Sequence, residues 1–302
     1  MIVVSGNGRK TVGWWSGGVT SAVACKEMIN IYGLENCRII MIDTKNEHPD
    51  TYRFKKDCEK WYGIDIETIT GIGTKYSCIQ DVWRKFLSLN VANGAICSTE
   101  LKRIIRENWQ KWNTYDRQIF GYEFVKSEFN RAKSMTLNHP DSKPIYPLLM
   151  LGYDKPDCFR IVEDAGIKVP ESYSEGFNNN NCYQTGCVQG GIGYWQKMER
   201  DRNDAFNEMA DIEHELTDKK GMPVTMLKDQ SNAAKELAKK DKKLQLVFLK
   251  KHPDYPELKC LADMAPQKVK PLFECNGFCG TNDLSPNKET ESEINYEGHP
   301  FN

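Results

Sequence analysis

Two glycines and three hydroxyl residues stand together in Trp14-Trp15-Ser16-Gly17-Gly18-Val19-Thr20-Ser21-Ala22. The stretch lies between a β-prone run and an amphipathic one. Two glycines permit a tight turn and close backbone approach to an anion. A helix N-terminus beyond them offers unpaired N–H groups and a partial positive charge. Ser16, Thr20 and Ser21 add hydroxyl donors, so the stretch suits pyrophosphate. It is not a Walker A loop, because the Gly-Lys-Ser/Thr ending is absent, and it is not a Gly-x-Gly-x-x-Gly fingerprint. The alternative is an ordinary strand–helix turn capped by Ser and Thr.

Cysteine supplies the second chemistry. The chain has 11 of them. Cys182 and Cys187 flank Tyr183-Gln184-Thr185-Gly186, and Cys275 and Cys279 flank Asn276-Gly277-Phe278. Both pairs sit in Gly/Asn-rich loops that can turn two thiolates inward. Four such ligands suit zinc or a [4Fe–4S] cluster, and spacing does not choose between them. The alternative is four independent buried thiols. Cys97 stands where a loop meets a helix, a place that favours a reactive thiolate. Cys25, Cys37, Cys58 and Cys158 fall on apolar elements and read as core fillers, whereas Cys78 and Cys260 remain open.

The elements that must position these groups alternate. Residues 10–15 form a short strand, and 19–32 a helix stopped by Gly33. Residues 38–42 are a continuous apolar run, as in a strand buried on both faces. A helix follows at 51–62, a strand at 64–69, a helix at 98–112, a strand at 118–121 and a helix at 123–137. Repeated strand–helix units imply an α/β fold, a parallel sheet with helices on both faces. After Pro140 the texture becomes helical, at 154–165, at 193–219 as one long helix or a pair, and at 232–251. Asn178 to Asn181 make a polar loop. Gly190-Gly191-Ile192-Gly193-Tyr194-Trp195 either lets backbone approach the metal loop or a substrate, or serves as a flexible lead into the next helix. The expected division is residues 1–150, a helical cysteine-rich unit at 151–282, and a polar tail at 283–302.

Composition sets the outer limits. The 302 residues carry a net charge of −1, with 27% charged and 11% aromatic residues. This describes a folded chain with a full core and no global affinity for nucleic acid. No run of about 18 apolar residues exists. The N-terminal residues lack the pattern of a signal peptide, so a cytoplasmic protein with reduced thiols is expected.

Taken together, the motifs resemble a known family. Ser16-Gly17-Gly18-Val19-Thr20-Ser21 is similar to the PP-loop of the adenine-nucleotide α-hydrolase superfamily, and most similar to its phosphoadenosine-phosphosulfate (PAPS) reductase-like family. Asp43-Thr44-Lys45-Asn46-Glu47-His48-Pro49-Asp50-Thr51 resembles that family's Asp-Thr-Gly…Pro-Glu-Thr segment. Cys97-Ser98-Thr99-Glu100-Leu101-Lys102-Arg103 resembles the segment where cysteines precede a basic residue. Gly121-Tyr122-Glu123…Glu128…Arg131 resembles its Gly…Glu…Arg segment. The likeness spans roughly residues 10–200.

The resemblance implies an adenine nucleotide, ATP or PAPS, across the strand C-termini. Ser16, Gly17, Gly18, Thr20 and Ser21 would hold phosphate; Asp43 and Thr44 would lie near the adenosine. Gly121 and Glu123 belong to the same site. Lys102, Arg103 and Arg131 would neutralise phosphate or sulfate. Glu47 has two readings, an oxygen ligand to Mg²⁺ or a cap of the next helix, and His48 reads as structural. Cys97, Lys102 and Arg103 are the expected catalytic residues of a sulfur-transfer or sulfonucleotide-reducing enzyme. A sulfur-donor protein suits the transfer version, while a nucleic-acid acceptor finds no support in the net charge. Two departures stand out. Thr20 replaces the aspartate usual in ATP-splitting members. Glu274-Cys275-Asn276-Gly277-Phe278-Cys279-Gly280 is not the reductases' Glu-Cys-Gly-Leu-His motif. They leave room for a catalytically silent nucleotide-binding or interaction module.

Overall fold

The computed structural model describes residues 8–91, 94–180, 182–270 and 272. The chain begins β1 (Thr11–Trp15), α1 (Val19–Tyr32), β2 (Cys37–Ile42), α2 (Pro49–Tyr62), β3 (Ile66–Ile69) and α3 (Ile79–Phe86). A small hairpin, β4 (Asn90–Val91) and β5 (Gly94–Ala95), leads into α4 (Ile96–Ser98), a π-helical stretch (Thr99–Arg103) and α5 (Ile104–Trp112). Then come β6 (Arg117–Ile119), α6 (Lys126–Asn138), β7 (Pro144–Ile145), α7 (Pro147–Leu151), α8 (Lys155–Asp164) and α9 (Glu171–Ser174). The last part holds α10 (Ile192–Asp201), α11 (Asn203–Lys220), β8 (Leu227–Lys228), α12 (Asn232–Ala238), β9 (Leu246–Phe248) and β10 (Lys259–Cys260).

The main sheet is parallel throughout, in the order β3-β2-β1-β6-β7. Its alternating side chains feed two cores, as a period of two residues requires. Trp15, Cys37, Ile39 and Met41 pack with α1, α2, α7 and α8 on one face. Val12, Trp14 and Ile40 pack with α6, Phe120, Tyr122 and Tyr146 on the other. The α/β expectation is therefore met, with helices on both faces. β1 reverses neighbours at the sheet centre, with β2 on one side and β6 on the other, and such switch points receive ligands beyond the strand C-termini.

A further core joins α3, α10 and α11 to β8 and β9. Val82 and Trp83, early in the chain, pack there, while Cys158 and Val162, beyond residue 150, pack on the sheet. The C-terminal part, expected to be mostly helical, is not built of helices alone. It contains the three-stranded sheet β10-β9-β8. The helix expected at 232–251 stops at Ala238, and Leu246–Phe248 is a strand. The Ala/Lys-rich half follows its helix propensity. Val247 and Phe248 are instead fully buried between two neighbouring strands, and tertiary pairing overrides the local preference. The paired-helix reading of 193–219 is correct. The helix expected at 98–112 is interrupted by the π-helical stretch. The polar tail at 283–302 lies outside the described residues. Among the described residues, no helix is long and apolar enough to cross a membrane.

One buried carboxyl clamps this C-terminal sheet to α11. Glu213 accepts the Met226 N–H at 2.8 Å and the Leu249 N–H at 2.6 Å. Burial pushes its pKa up to about 8, although those two N–H groups favour the charged form. In the unfolded chain it would ionise near 4.5. Between these values the folded state binds more protons. Glu213's stabilising contribution is thus complete below pH 4.5 and is lost as pH rises through 8. Thermal melts at pH 5 and pH 8 should show a larger loss in the wild type than in Glu213→Gln. The variant should also be less stable at pH 5, because an amide replaces one of the two acceptors. Equal pH dependence in both proteins would remove this clamp from the account.

Candidate functional site

The loop after β1 is shaped by its own atoms. Gly17 has φ 89°, a left-handed conformation that favours glycine. A Cβ there would also lie 2.9 Å from Thr51 Cγ2, so this glycine serves packing as well as backbone approach. Gly18 precedes α1 as its N-cap. Ser21 Oγ accepts the Ser16 N–H at 3.1 Å and donates to Gly18 O at 2.9 Å. Its hydroxyl therefore braces the loop instead of standing as a phosphate donor. Gly121 has a plain packing role. A Cβ on it would sit 2.7 Å from Ser21 Cα, so strand β6 can approach α1 only without a side chain there.

Four contacts invisible to sequence reasoning hold this loop. Asn180 Nδ2 donates to Gly17 O at 2.8 Å and to Thr51 Oγ1 at 2.9 Å, and its Oδ1 accepts from Ser172 Oγ at 3.0 Å. The Val19 N–H, at the start of α1, donates to Tyr173 Oη at 3.3 Å. The asparagine run signalled only a polar loop, yet Asn179 and Asn180 are both buried.

The segment after β2 divides its carboxylates. Asp43 is buried and accepts from the Lys45 backbone N–H at 2.7 Å, from Lys45 Nζ at 2.8 Å and from Tyr52 Oη at 3.1 Å. Burial and this carboxylate raise the Tyr52 hydroxyl pKa, keeping it a donor. Asp43 is thus engaged by its own loop. Glu47 does not cap α2. That role falls to His48, whose Nδ1 accepts the Asp50 N–H at 2.9 Å. Glu47 Oε1 instead accepts from Thr44 Oγ1 at 2.9 Å and lies 3.9 Å from Lys102 Nζ.

Lys102 belongs to a cavity that gathers the cysteines. Thr44, Cys97, Ser98, Lys102, Cys182 and Cys187 line it, with a free volume of about 20 Å³. Cys97 lies in the first turn of α4. The π-helical stretch that follows leaves Lys102 buried, while Arg103 points away to Glu107 at 3.9 Å. Of the three expected catalytic residues, Cys97 and Lys102 meet and Arg103 does not. Cys275 and Cys279 lie outside the described residues. The chain before them is held close to the asparagine run. Asn178 Nδ2 donates to Val269 O at 3.0 Å, and the Leu272 N–H donates to Asn179 Oδ1 at 2.8 Å. Gly193 makes room for this strap, since a Cβ would collide with the carbonyls of Gln267 and Lys268.

Charge also accumulates behind β6. Arg131 pairs with Glu128 at 3.2 Å and lies 4.4 Å over the Tyr122 ring. Glu123 is half-buried nearby in sequence. Arg106 is buried, and burial lowers its pKa to about 9. Its sequence signal was no different from that of any basic residue on a charged helix. Elsewhere, Asp218, His252 and Asp254 bring their ligand atoms within 4.8 Å of one another. His252 Nδ1 accepts the Asp254 N–H, which puts the ring proton on Nε2, facing Asp218 at 3.3 Å. A donor N–H there is not a metal ligand.

No protein-family model and no curated protein matches the chain. Solved structures do. A PAPS reductase from Candida auris, in a phosphate complex, is 16% identical, with 58% of this chain and 81% of that one covered at a TM-score of 0.42. A U34-tRNA thiolase from Methanococcus maripaludis with its [4Fe-4S] cluster is also 16% identical, with 70% of this chain and 72% of that one covered at a TM-score of 0.33.

Asn180 yields a direct test. Asn180→Ala removes one amide that bonds three segments and leaves the Gly17 carbonyl without that donor. Urea unfolding should show a loss of about 1–3 kcal/mol. A change below about 0.5 kcal/mol would place Asn180 among ordinary surface positions.

Proposed function

We propose that the chain is a PP-loop enzyme of the PAPS reductase-like kind, which binds an adenine nucleotide and couples it to sulfur chemistry at the cysteine cavity. One observation carries the reading. Cys97, Cys182, Cys187 and Lys102 line a single cavity that also includes Thr44, immediately beyond β2. Phosphate would rest against Gly17, Gly18 and the start of α1, beside the sheet's switch point. Lys102 supplies positive charge where sulfate, phosphate or a leaving group accumulates negative charge. Glu47 holds Lys102 in place and, with nucleotide present, offers an oxygen to Mg²⁺. In the transfer version, an acceptor oxygen attacks the α-phosphorus and pyrophosphate departs; a sulfur donor then displaces AMP. In the reductive version, a thiolate such as Cys97 attacks the sulfonucleotide sulfur, the sulfur–oxygen bond breaks to release the nucleotide phosphate, and a second thiol then displaces sulfite as a disulfide forms.

Zinc and an iron–sulfur cluster both accept these thiolates, and the proposed occupant is the cluster. A single tetrahedral zinc holds its thiolates about 3.8 Å apart, from bonds near 2.3 Å. A cluster spreads its thiolates wider and supplies electron or sulfur-atom transfer. The cavity has room for about one water, so loading a cluster requires the Cys97 and Cys182–Cys187 segments to part. Cys275 or Cys279 is the proposed source of a fourth thiolate.

A second reading is a nucleotide-binding module without catalysis. The Val19 N–H favours it, because that group is already engaged by Tyr173. Release assays separate the readings: pyrophosphate from ATP, sulfite from PAPS, or neither. Metal analysis after anaerobic purification tests the cysteines. Iron and a visible absorbance band are expected, both lost in Cys97→Ser and Cys187→Ser. Cys58→Ser should keep them, since Cys58 is a core thiol whose pKa burial pushes up to about 12. Equal metal content in all three variants would remove the cysteines from the site.

A further inference from the structure

A second cavity adjoins the first. We propose that it seats a planar, uncharged heterocycle bearing neighbouring hydrogen-bond donors and acceptors, which is the chemistry of a nucleobase, and that this base belongs to the acceptor rather than to the activating nucleotide. The proposal deepens the reading above and rests on it for the use of the pocket, but its occupancy rests on the lining alone.

The cavity has a volume of about 240 Å³. Thr44, Lys45, Asn46, Gln80, Gln184 and Glu208 are among its walls. It shares Thr44 and Ile79 with the cysteine cavity, so an occupant sits one side chain away from the sulfurs. Its volume falls below the roughly 300–1,000 Å³ typical of drug-sized ligands, which suits one ring system and not a whole nucleotide.

The walls exclude a phosphate and favour a base. Lys45 is the one cation in the lining, and Asp43 already holds its ammonium at 2.8 Å. Glu208 is the one anion, and it accepts from Gln80 Nε2 at 2.9 Å. The formal charges therefore cancel, in contrast to the Lys102 side of Thr44. The remaining polar groups are amides, hydroxyls and the Cys78 thiol. Asn46 is fixed as part of the wall, donating to Thr185 Oγ1 at 2.8 Å and accepting the Thr185 N–H at 3.3 Å. Gln80 keeps its carbonyl oxygen, and Gln184 its whole side-chain amide, outside any hydrogen bond described within the protein. A primary amide presents one donor beside one acceptor, the pattern that pairs bidentately with a base edge. Ile79, buried and shared by both cavities, offers an apolar surface to a ring face.

The test uses uridine, cytidine, adenosine and guanosine as probes on the full-length protein, by calorimetry or ligand-observed NMR, with and without a saturating non-hydrolysable ATP analogue. At least one nucleoside should bind with the analogue already in place. Gln80→Ala combined with Gln184→Ala should weaken that nucleoside about tenfold, the size of one lost bidentate pair. The same variant should keep analogue affinity within twofold. Both glutamines are at least partly exposed, so the fold should persist, and a thermal melt confirms it. Three results overturn the proposal: no nucleoside binds, the nucleosides compete with the analogue, or the double variant binds them as the wild type does. Competition would make the pocket the adenine's own seat. If the wild type fails to bind the analogue at all, the nucleotide reading falls, and the nucleosides are then judged on the nucleotide-free protein.

Discussion

A single buried amide joins the three segments that any chemistry here requires. Asn180 reaches the turn after β1 through Gly17 O, helix α2 through Thr51 and the α9 region through Ser172. Two residues later the chain arrives at Cys182. The loop after β1 and the turn that begins at Cys182 are therefore placed relative to each other by hydrogen bonds within a few residues of both. In a buried setting these bonds are strongly directional, because any unpaired group would remain desolvated. Gly121 completes the arrangement from the other side by letting β6 press directly on the backbone of Ser21.

The same region contains a controlled electrostatic asymmetry. Asp43 is saturated by Lys45 and Tyr52, and so contributes little to a ligand beyond its own loop. Glu47 and Lys102 form a looser pair at 3.9 Å. Both are buried, and a charge in such a place is held by its partner or by a bound ion. The pairing places opposite charges near each other where the local dielectric is low. The interruption of the helix between α4 and α5 makes this possible. Adjacent Lys102 and Arg103 end up with different surroundings, one buried beside Cys97 and the other paired with Glu107 near the surface. π-helical insertions are found frequently at functional sites for this reason.

The C-terminal part supports the site from behind. Gly193 admits the strap that runs from Gln267 to Leu272, and Asn178 and Asn179 fasten it. Glu213 anchors the small sheet that precedes the strap. Parts of the chain more than 80 residues apart thus meet around one asparagine run, as the Asn178–Val269 and Asn179–Leu272 bonds record.

The sequence by itself determined the parallel α/β order, the loop after β1 and the helices that follow each strand. These follow from local apolar period, glycine placement and strand–helix alternation, all carried by neighbouring residues. It also placed Cys97, Lys102, Cys182 and Cys187 in segments with chemical potential. Only the tertiary structure decided which of them meet. Lys102 and Arg103 are adjacent basic residues to which the sequence assigns the same role, and the π-helical stretch gives them different surroundings. Asn180 looked like loop material, and its burial depends on Gly17 and Thr51, far away in the chain. Leu246–Phe248 lay in an expected helix and became a strand because β8 and β10 flank it. Local sequence encodes backbone preference, but burial, pairing and charge environment are properties of neighbours that the chain meets only after folding.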